Sequence, residues 1–445
     1  MALISTLTFF GQTDSTFIRK MYNEAMDNGQ SYENLHYLCK HIGNRISGSA
    51  QAQMAIEWGE KLLKSYKFDK VYLQEIMVPH WERGTKEVAW IVNSKGEFEK
   101  LHIIALGGSV GTNGFIEGEV IEVKTIEELH ALGEEKIKGK IVFFNQSFDQ
   151  KFLETFQAYG TCYYQRGDGA NESGKLGAVA CVIRSLASST DTHPHTGTMH
   201  YDDDVKKIPG AAMSTEDADL LTNWLKTGKV TLKMDMNCEI LPDVKSYNVI
   251  AEMNGKDDKI ITWGGHLDSW DIGEGAHDDG SGIVHSIEAM RILKTLGYQP
   301  NHKLRCVLFM NEENGNNGGE SYAKIAKENN EEHICALESD AGGFLPLGFS
   351  VWGNEDQLKL VSQYSKLLKD FELYKFNEGH SGVDIGPLKK LYPDMIQLGL
   401  SVNSQRYFNY HHSEADVFEN VNKRELEMGC AAMAAMIYLM DKTLK

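Results

Sequence analysis

The sequence predicts an α/β fold, a mostly parallel mixed sheet flanked by helices, with a β-rich module inserted into it. Three observations support this fold class. From residue 243 onward, short apolar runs of strand length alternate with helical segments, as in a parallel sheet covered on both faces. Between residues 87 and 236 the pattern changes to short strands separated by frequent turns. A chain of 445 residues is also too long for one ordinary core.

The first ninety residues are predicted to add helices and one strand to this fold. On the third of these helices, Met54, Trp58, Leu62 and Leu63 fall on one apolar face. In chain order, the predicted elements are helices over Asp14–Asp27 and Ser31–His41 with Asp14 and Ser31 as N-caps, a helix over Ala50–Tyr66, and a strand over Val71–Val78 that stops at Pro79.

The middle of the chain holds almost none of the candidate ligands, which indicates a separate module inserted into a catalytic domain. Its strands are predicted at 87–92, 103–106, 118–123, 141–145 and 178–183. The predicted division is therefore residues 1–90 and 241–445 for the two parts of the catalytic domain and residues 91–240 for the insertion. A loop with His193, His195 and His200 is interpreted as a polar loop, and a second metal site there is the alternative.

The last part of the chain is predicted to supply most of the catalytic sheet. Its strands are predicted at 247–253, 260–264, 304–310, 335–338 and 395–400, and its helices at 284–296, 320–328, 357–370 and 424–441. In an open α/β sheet, ligands bind at the carboxyl edge of the strands.

Composition excludes several classes of protein. The net charge of −18 leaves no basic stripe for nucleic acid, and no run approaches the length of a membrane span. The seven cysteines are scattered, and their odd number argues against a full disulfide framework, although one bridge stays open. The stretch Met1–Gln12 resembles the apolar part of an export signal without its basic residues. A periplasmic or secreted location is therefore predicted, with a packed N-terminal strand and a cytoplasmic location as alternatives.

The most informative stretch is residues 264–282, GGHLDSWDIGEGAHDDGSG. It places His266 and Asp268 at the end of a strand, and Asp278 and Asp279 about a dozen residues later, before an apolar helix. Divalent metals such as zinc bind mixed sets of imidazole and carboxylate groups. Taken alone, Asp-Asp-Gly-Ser-Gly is equally compatible with a turn and a helix N-cap.

Later strand ends add more side chains that can bind a metal. Glu312 and Glu313 follow the third of the five strands, Asp340 follows the fourth, and a polar loop with His411 and His412 lies beyond the fifth. Glu312 lies next to a candidate ligand, so it could take a proton from water and return it to a leaving amine.

These strand ends predict one converging set of ligands, because the carboxyl ends of parallel strands lie at one edge of the sheet. Two zinc ions about 3.5–4 Å apart need a bridging carboxylate and further terminal ligands. The candidate set is His266, Asp278, Glu313, Asp340 and one of the tandem histidines.

With these motifs the chain resembles the M28 family of co-catalytic zinc exopeptidases, over nearly its whole length. The resemblance implies a zinc-exopeptidase sheet of the phosphorylase/hydrolase-like kind, a protease-associated domain as the insertion, and a homodimer. It rests on residues 43–49 (GNRISGS), 78–84 (VPHWERG), 194–197 (PHTG), 265–271 (GHLDSWD), 338–342 (ESDAG) and the tandem histidines.

The resemblance also implies a role for each ligand. His266 and Asp340 would bind one zinc, Glu313 and His412 the other, and Asp278 would bridge the two.

Further residues of the site follow from the same resemblance. Glu312 would be the general base while metal-bound hydroxide attacks the peptide carbonyl. His412 is preferred over His411 because Asp416 follows it by four residues. Asp268 would orient the His266 imidazole through a hydrogen bond.

Four other positions of interest lie near the motifs. The peptide between Asp278 and Asp279 matches the family's cis peptide, and His380 and Asp384 match a loop on the substrate side, without an assigned contact. His277 stands where relatives carry Met or Asp and is interpreted as loop surface, with an extra hydrogen-bond partner of the site as the alternative.

The implied activity is hydrolysis of small peptides, dipeptides above all, by a carboxypeptidase or dipeptidase. An M28 aminopeptidase is the alternative, because the sequence does not show which substrate terminus is held. Arg184, Lys389 and Arg406 are candidate partners for a substrate carboxylate by charge only and are interpreted as surface cations. The complete ligand set argues against a receptor-like binding protein, and the insertion argues against a glutaminyl cyclase.

Overall fold

Within residues 12–445, which a computed structural model describes, sixteen strands form two separate eight-stranded sheets. The strands are β1 (Lys70–Glu82), β2 (Glu87–Asn93), β3 (Phe98–Leu101), β4 (Ile103–Ala105), β5 (Ile116–Val123), β6 (Ile141–Phe144), β7 (Ala180–Arg184), β8 (Gly210–Met213), β9 (Val230–Met236), β10 (Glu239–Met253), β11 (Ile260–His266), β12 (Lys303–Phe309), β13 (His333–Glu338), β14 (Pro346–Trp352), β15 (Lys375–Glu378) and β16 (Ile396–Val402).

Helices flank both sheets. The α-helices of the same residues are α1 (Gln12–Asn28), α2 (Ser31–Tyr37), α3 (Ala50–Ser65), α4 (Ile126–Ile137), α5 (Thr155–Gly160), α6 (Tyr164–Gly167), α7 (Gly169–Lys175), α8 (Thr215–Leu225), α9 (Ser281–Thr295), α10 (Asn317–Glu328), α11 (Glu355–Ser362), α12 (Ser365–Leu368), α13 (Gly386–Leu391), α14 (Tyr407–Tyr410) and α15 (Lys423–Thr443). Short π-helical turns span Leu38–Ile42 and Ala276–Gly280.

The first sheet has the strand order β1-β10-β12-β11-β13-β16-β14-β15. Its four central strands, β12, β11, β13 and β16, are parallel. On one side β10 and β1 extend the sheet with antiparallel pairing, and on the other side β14 is antiparallel to β16 and parallel to β15. Alternate residues of β12 enter different cores, because successive side chains of a strand point to opposite faces. Leu308 packs with α9 and α15, whereas Val307 packs with α10 and α13. The predicted α/β class with mixed sheets flanked by helices is confirmed.

The second sheet is formed by the strands between residues 87 and 236, in the order β3-β2-β9-β5-β6-β7-β8-β4. Strands β5 to β8 are parallel, and the others are antiparallel to their neighbours. Helix α8 packs on one face, and α4 and α7 pack on the other. The chain enters this segment from β1 and leaves it into β10, and these two strands pair along most of their length in antiparallel orientation. The boundaries at residues 91 and 240 and the protease-associated assignment stay predictions.

Several local predictions are wrong. Helix α1 begins at Gln12, so Asp14 lies in its first turn, where it accepts a hydrogen bond from Tyr438 at 2.7 Å. Ser31 is the first residue of α2 and forms no side-chain cap. Strand β1 continues through Pro79 to Glu82, because its register is irregular between residues 78 and 80 and no ladder bond needs the missing N–H there.

Two helices also differ from their predictions. In α3, Met54 is 46% exposed, and small residues such as Ala52, Ala55 and Gly59 form much of the buried face. The predicted helix over residues 357–370 is interrupted between α11 and α12 and ends in a 3-10 turn.

Three further observations concern the termini, the thiols and the membrane. All seven cysteines are buried and free, so the described residues contain no disulfide. No helix within residues 12–445 is long and apolar enough to cross a membrane. The export-signal prediction concerns Met1–Gln12, which lies outside the described residues apart from Gln12.

Candidate metal centre

The parallel strands of the first sheet deliver the candidate ligands to its carboxyl edge. His266 is the last residue of β11, Glu313 follows β12, and Asp340 follows β13. His412 lies beyond β16, directly after the short helix α14. Asp278 lies in the π-helical turn that precedes α9. The structure therefore brings the five predicted ligands together at one edge of the sheet.

The donor atoms of these side chains converge on two adjacent points. His266 Nε2 lies 3.2 Å from Asp278 Oδ1 and 3.5 Å from Asp340 Oδ1. His412 Nε2 lies 3.2 Å from Asp278 Oδ2 and 3.1 Å from Glu313 Oε2. One oxygen of Asp278 thus faces each histidine, which is the arrangement that a bridging carboxylate requires.

The chemistry of this donor set fits divalent metal ions. Each of four of these side chains has one buried polar atom without a hydrogen-bond partner among the described residues: His266 Nε2, Asp278 Oδ2, Glu313 Oε1 and Asp340 Oδ1. Buried polar atoms without partners are costly, so such a group indicates a ligand that satisfies them. Two histidine nitrogens with carboxylate oxygens are a set that zinc binds. The residues present therefore fit the expected metal.

Two further side chains lie close enough to join the donor groups. Asp279 has an oxygen within 4.8 Å of donor atoms of His266 and Asp340. His411 Nε2 lies 3.7 Å from Asp278 Oδ2, and its ring stacks on that of His412 with 3.5 Å between centroids. The geometry favours His412 over His411, because His412 approaches two carboxylates and His411 approaches one.

Comparisons with known proteins agree with this centre. A model of peptidase family M28 matches residues 248–437. A carboxypeptidase Q from Xenopus laevis is 37% identical, over 87% of this chain and 80% of its own length. The chain belongs to peptidase family M28. Human carboxypeptidase Q is 34% identical to this M28 peptidase over 94% of its chain and 86% of the human protein. The expected enzyme class, an M28 metallopeptidase, and the expected likeness to plasma glutamate carboxypeptidase, or carboxypeptidase Q, are confirmed.

Solved structures place the fold of this M28 peptidase in the same family. The crystal structure of a peptidase M28 precursor from Shewanella amazonensis is 30% identical, with a TM-score of 0.92 over 97% of this chain and 98% of that one. A zinc aminopeptidase from Bacillus subtilis shares the fold at 19% identity, with a TM-score of 0.67 over 94% of this chain and 96% of that one.

Asp268 of this M28 peptidase supports the site differently from the prediction. His266 Nδ1 lies 3.1 Å from the main-chain carbonyl oxygen of Asp268, whereas the Asp268 carboxylate is 3.8 Å away. That carboxylate accepts main-chain N–H groups of Asn311 at 2.7 Å, Glu312 at 3.1 Å and Glu313 at 3.2 Å. The predicted orienting bond therefore comes from the backbone, and the Asp268 side chain holds the loop of Glu312 and Glu313.

Asp279 fixes the first turn of the helix behind the site. Its Oδ2 accepts the His266 N–H at 3.1 Å, and its Oδ1 accepts the Gly282 N–H at 2.9 Å. The peptide bond between Asp278 and Asp279 is cis, as the family resemblance predicts. Burial and the nearby Asp340 raise the pKa of Asp279 well above its usual range.

Charges within the cluster shift the other titratable groups. Burial would raise the pKa of Asp278, but the adjacent imidazoles of His266 and His412 outweigh it and hold the pKa well below its usual range. Burial raises the pKa of Glu312 well above its usual range, and the carboxylates of Asp340 and Glu313 contribute to that increase. A carboxyl beside other carboxylates binds protons readily, which suits a group that must accept one.

The tandem histidines rest on the loop that contains His193, His195 and His200. His195 is buried, and its Nδ1 lies 2.6 Å from the His411 carbonyl oxygen. The N–H of Thr196 donates to the His412 carbonyl at 2.9 Å. His195 is therefore a buried residue of this loop, packed beneath the tandem histidines. None of the three histidines belongs to a converging donor group in residues 12–445.

Other predictions about side chains near the site need correction. His277 is 1% exposed rather than on the surface, and its ring stacks on Phe344 at 4.2 Å between centroids. His380 is exposed and lies against Trp352, whereas Asp384 is fully buried. Neither His380 nor Asp384 belongs to a converging donor group within the described chain.

The structure also shows arginines that sequence patterns did not single out. Arg45, in the glycine-bearing loop, is fully buried and donates to the carbonyls of Leu267, Glu274 and Gly275. It therefore holds the loop between His266 and Asp278. Arg166 of α6 lies 3.1 Å from His412 Nδ1. Local sequence patterns do not reveal the role of either arginine, because each contact joins segments more than 200 residues apart.

The three predicted carboxylate partners lie elsewhere. Arg184 is paired with Asp219, and Arg406 is paired with Glu425. The Lys389 ammonium donates to a main-chain carbonyl oxygen six residues further along the chain. Their interpretation as ordinary cations agrees with these contacts.

Proposed function

We propose that this M28 peptidase is a co-catalytic binuclear zinc exopeptidase that hydrolyses small peptides, dipeptides above all. The observation that carries the proposal is Asp278, which presents one carboxylate oxygen to each of two histidine–carboxylate pairs. The names of the carboxypeptidase Q relatives support removal of the residue at the carboxyl terminus.

The proposed ligand set assigns His266 and Asp340 to one zinc ion, Glu313 and His412 to the other, and Asp278 to both. The unpartnered donor atoms of this set support the assignment. Bound zinc supplies Lewis acidity, which lowers the pKa of water toward ~7 and polarises a carbonyl oxygen.

Glu312 is proposed as the general base. Its N–H donates to Asp268, and its carboxyl interacts electrostatically with His266 and Asp340, which supports a position beside the donor set. It would take a proton from the attacking water and deliver it to the leaving amine. The pKa of Glu312, raised by burial and neighbouring carboxylates, supports this role.

The inserted segment is proposed to be a protease-associated domain, residues 91–240, that covers the cleft. The contact of His195 and Thr196 with the tandem histidines supports its position beside the centre. A homodimer and export from the cytoplasm are proposed from the resemblance to the family. A light-scattering mass near that of one chain would contradict the dimer.

An M28 aminopeptidase is the second candidate, because the same metal centre can serve either substrate terminus. A receptor-like binding protein is the third, but such a protein has no use for a complete donor set with an adjacent Glu312.

The deciding experiment presents one dipeptide in free, N-blocked and C-blocked forms, each with and without a chelator. Cleavage of the free and N-blocked forms, stopped by the chelator, is expected for a carboxypeptidase. Cleavage of the free form alone indicates a strict dipeptidase, and cleavage of the free and C-blocked forms indicates an aminopeptidase. Glu312→Gln is expected to keep its zinc and to lose about 100-fold or more in kcat. No cleavage with zinc restored would refute the proposed activity.

A further inference from the structure

A short stretch of the inserted segment exposes three large apolar side chains. This stretch, the FLETF segment (residues 152–156), runs from the loop after β6 into the first turn of α5. Phe152 is 40% exposed, Leu153 is 87% exposed and Phe156 is 44% exposed. Single apolar residues are common on protein surfaces, but a contiguous group of them marks a surface that binds something.

The directions of the strands define which parts of the chain lie at the carboxyl edge of the first sheet, beside the proposed ligands. Strand β16 is parallel to β13, so the residues that follow β16 lie at that edge. Strand β14 is antiparallel to β16, and β15 is parallel to β14, so β15 begins at the same edge.

The FLETF segment is attached to this edge by three polar contacts. Two of them reach the residues directly after β16, and the third reaches the first residue of β15. The Gln405 side-chain amide donates to the Leu153 carbonyl at 2.7 Å, the Thr155 hydroxyl donates to the Ser404 carbonyl at 3.1 Å, and the Lys375 ammonium lies 2.7 Å from Glu154 Oε1. The exposed side chains therefore lie at the edge that carries the proposed ligands, on the β16–β15 side of them.

A row of packed rings connects the FLETF segment to the tandem histidines. The Phe156 ring stacks on that of Tyr407 with 5.4 Å between centroids, and the Tyr407 ring lies 5.1 Å from that of His411. Tyr407 is buried, so Phe156 is the end of this row that meets solvent. Two ring contacts span on the order of 10 Å, which is within reach of a short extended peptide at ~3.5 Å per residue.

We infer that the FLETF segment binds a large apolar side chain of the substrate, so that the peptidase prefers dipeptides with a leucine or an aromatic residue. This inference rests on the proposed function, which brings a peptide to this edge of the sheet. An apolar side chain removes the exposed surface of Leu153 and Phe156 from water, whereas a charged one loses its own hydration against the same atoms. Because the segment lies on one side of the ligands, it contacts only one of the two residues of a dipeptide.

The test compares wild type with Leu153→Ala, Phe156→Ala and the double variant that combines them. Phe115→Ala is the matched control, because it removes a phenylalanine that is 50% exposed elsewhere in the inserted segment. The substrates are the free dipeptides alanyl-alanine, phenylalanyl-alanine and alanyl-phenylalanine, which a carboxypeptidase, a dipeptidase and an aminopeptidase can all cleave. The value of kcat/KM is measured for each pair, and light scattering gives the mass of each variant.

Wild type should cleave one of the two phenylalanine-containing dipeptides about 10-fold faster than alanyl-alanine, measured as kcat/KM. The double variant should lose about 10-fold on that dipeptide and less than about 2-fold on alanyl-alanine, because only the large side chain contacts the segment. The control should match wild type. Leu153→Ala alone should lose about 3-fold and serves as the test if the double variant does not fold, since the Leu153 side chain is largely in water.

Three outcomes would overturn the inference. Wild type that cleaves the three dipeptides equally well has no apolar preference to explain. A double variant that slows on all three by the same factor would make the segment a support of the centre rather than a substrate contact. A double variant with half the mass of wild type and an unchanged preference would make the segment an interface between two copies of the chain. Wild type that cleaves none of the dipeptides with zinc restored would instead contradict the proposed function itself.

Discussion

The carboxylate of Asp268 is predicted to hold the two glutamates of the centre in place. It accepts three main-chain N–H groups, from Asn311, Glu312 and Glu313, at 2.7, 3.1 and 3.2 Å. Asp268→Asn keeps one carbonyl oxygen, which can serve the first two donors. Its amide nitrogen then faces the N–H of Glu313, so one charge-assisted hydrogen bond is lost and the other two are weakened.

The magnitude follows from these three bonds. A hydrogen bond to a charged group contributes about 1.5–3 kcal/mol, so Asp268→Asn is expected to lower the free energy of unfolding by about 2–4 kcal/mol. The bond from His266 Nδ1 reaches the Asp268 backbone and survives the substitution. The effect should therefore fall on the glutamate loop, and metal retention should drop by about 10–100-fold.

The assay is zinc content after dialysis against graded chelator concentrations, together with unfolding in denaturant. Asp356→Asn is the matched control, because the same chemical change occurs at a side chain that is 94% exposed. The control should match wild type in both measurements. If Asp268→Asn retains zinc and unfolds like wild type, the Asp268 carboxylate does not hold the loop and the reasoning is refuted.

Two further predictions concern stability. Burial and the nearby Glu288 raise the pKa of the Glu427 carboxyl to about 7. The folded protein therefore binds this proton more tightly than the unfolded chain does. The free energy of unfolding should fall as the pH rises from about 4.5 through 7. Glu427→Gln should match wild type near pH 4.5 and exceed it by about 1–3 kcal/mol at pH 8 in denaturant unfolding, and an equal difference at both pH values would contradict this. A Cβ at Gly265 would lie 2.2 Å from Asp279 Oδ2, so Gly265→Ala should lower the free energy of unfolding by about 3 kcal/mol or more. A Cβ at Gly160 would have no atom within 4 Å, so the control Gly160→Ala should change the free energy of unfolding by less than about 0.5 kcal/mol. Equal melting temperatures for the two alanine variants would be evidence against tight packing at Gly265.

The convergence of the candidate ligands could be predicted from the sequence because their positions follow from a rule of chain geometry. His266, Glu313 and Asp340 each come directly after an apolar strand, and parallel strands end at one edge. The pattern of apolar residues along the sequence is enough to predict such strands, and the strands are present in the observed mixed sheet. The acidic and imidazole residue types then indicate metal chemistry.

The supports of the site could not be predicted in the same way. Arg166 contacts His412, and His195 contacts His411, across more than 200 residues of sequence. Nothing local distinguishes these residues from other arginines and histidines of polar loops. Their roles depend on how the inserted segment lies against the peptidase sheet. A sequence pattern within one segment carries no information about that packing.

Local rules also failed where tertiary packing decides the outcome. Pro79 was expected to end a strand, but its missing N–H falls at an irregular position of the ladder. Met54 fits an apolar stripe, yet small residues form much of the contact surface of that helix. His277 lies in a polar glycine-rich stretch, but its ring is buried between aromatic side chains, Phe344 and Tyr410.

The order of the proposed ligands along the chain has a consequence during protein synthesis. His266, Asp278 and Glu313 leave the ribosome well before His412, and the residues that hold its loop, among them Arg166, leave earlier still. A nascent chain can therefore expose an incomplete set of donors, with the supports for the last histidine already made. The full set of proposed donors exists only after His412 has been made, so any shorter nascent chain lacks the complete proposed metal centre.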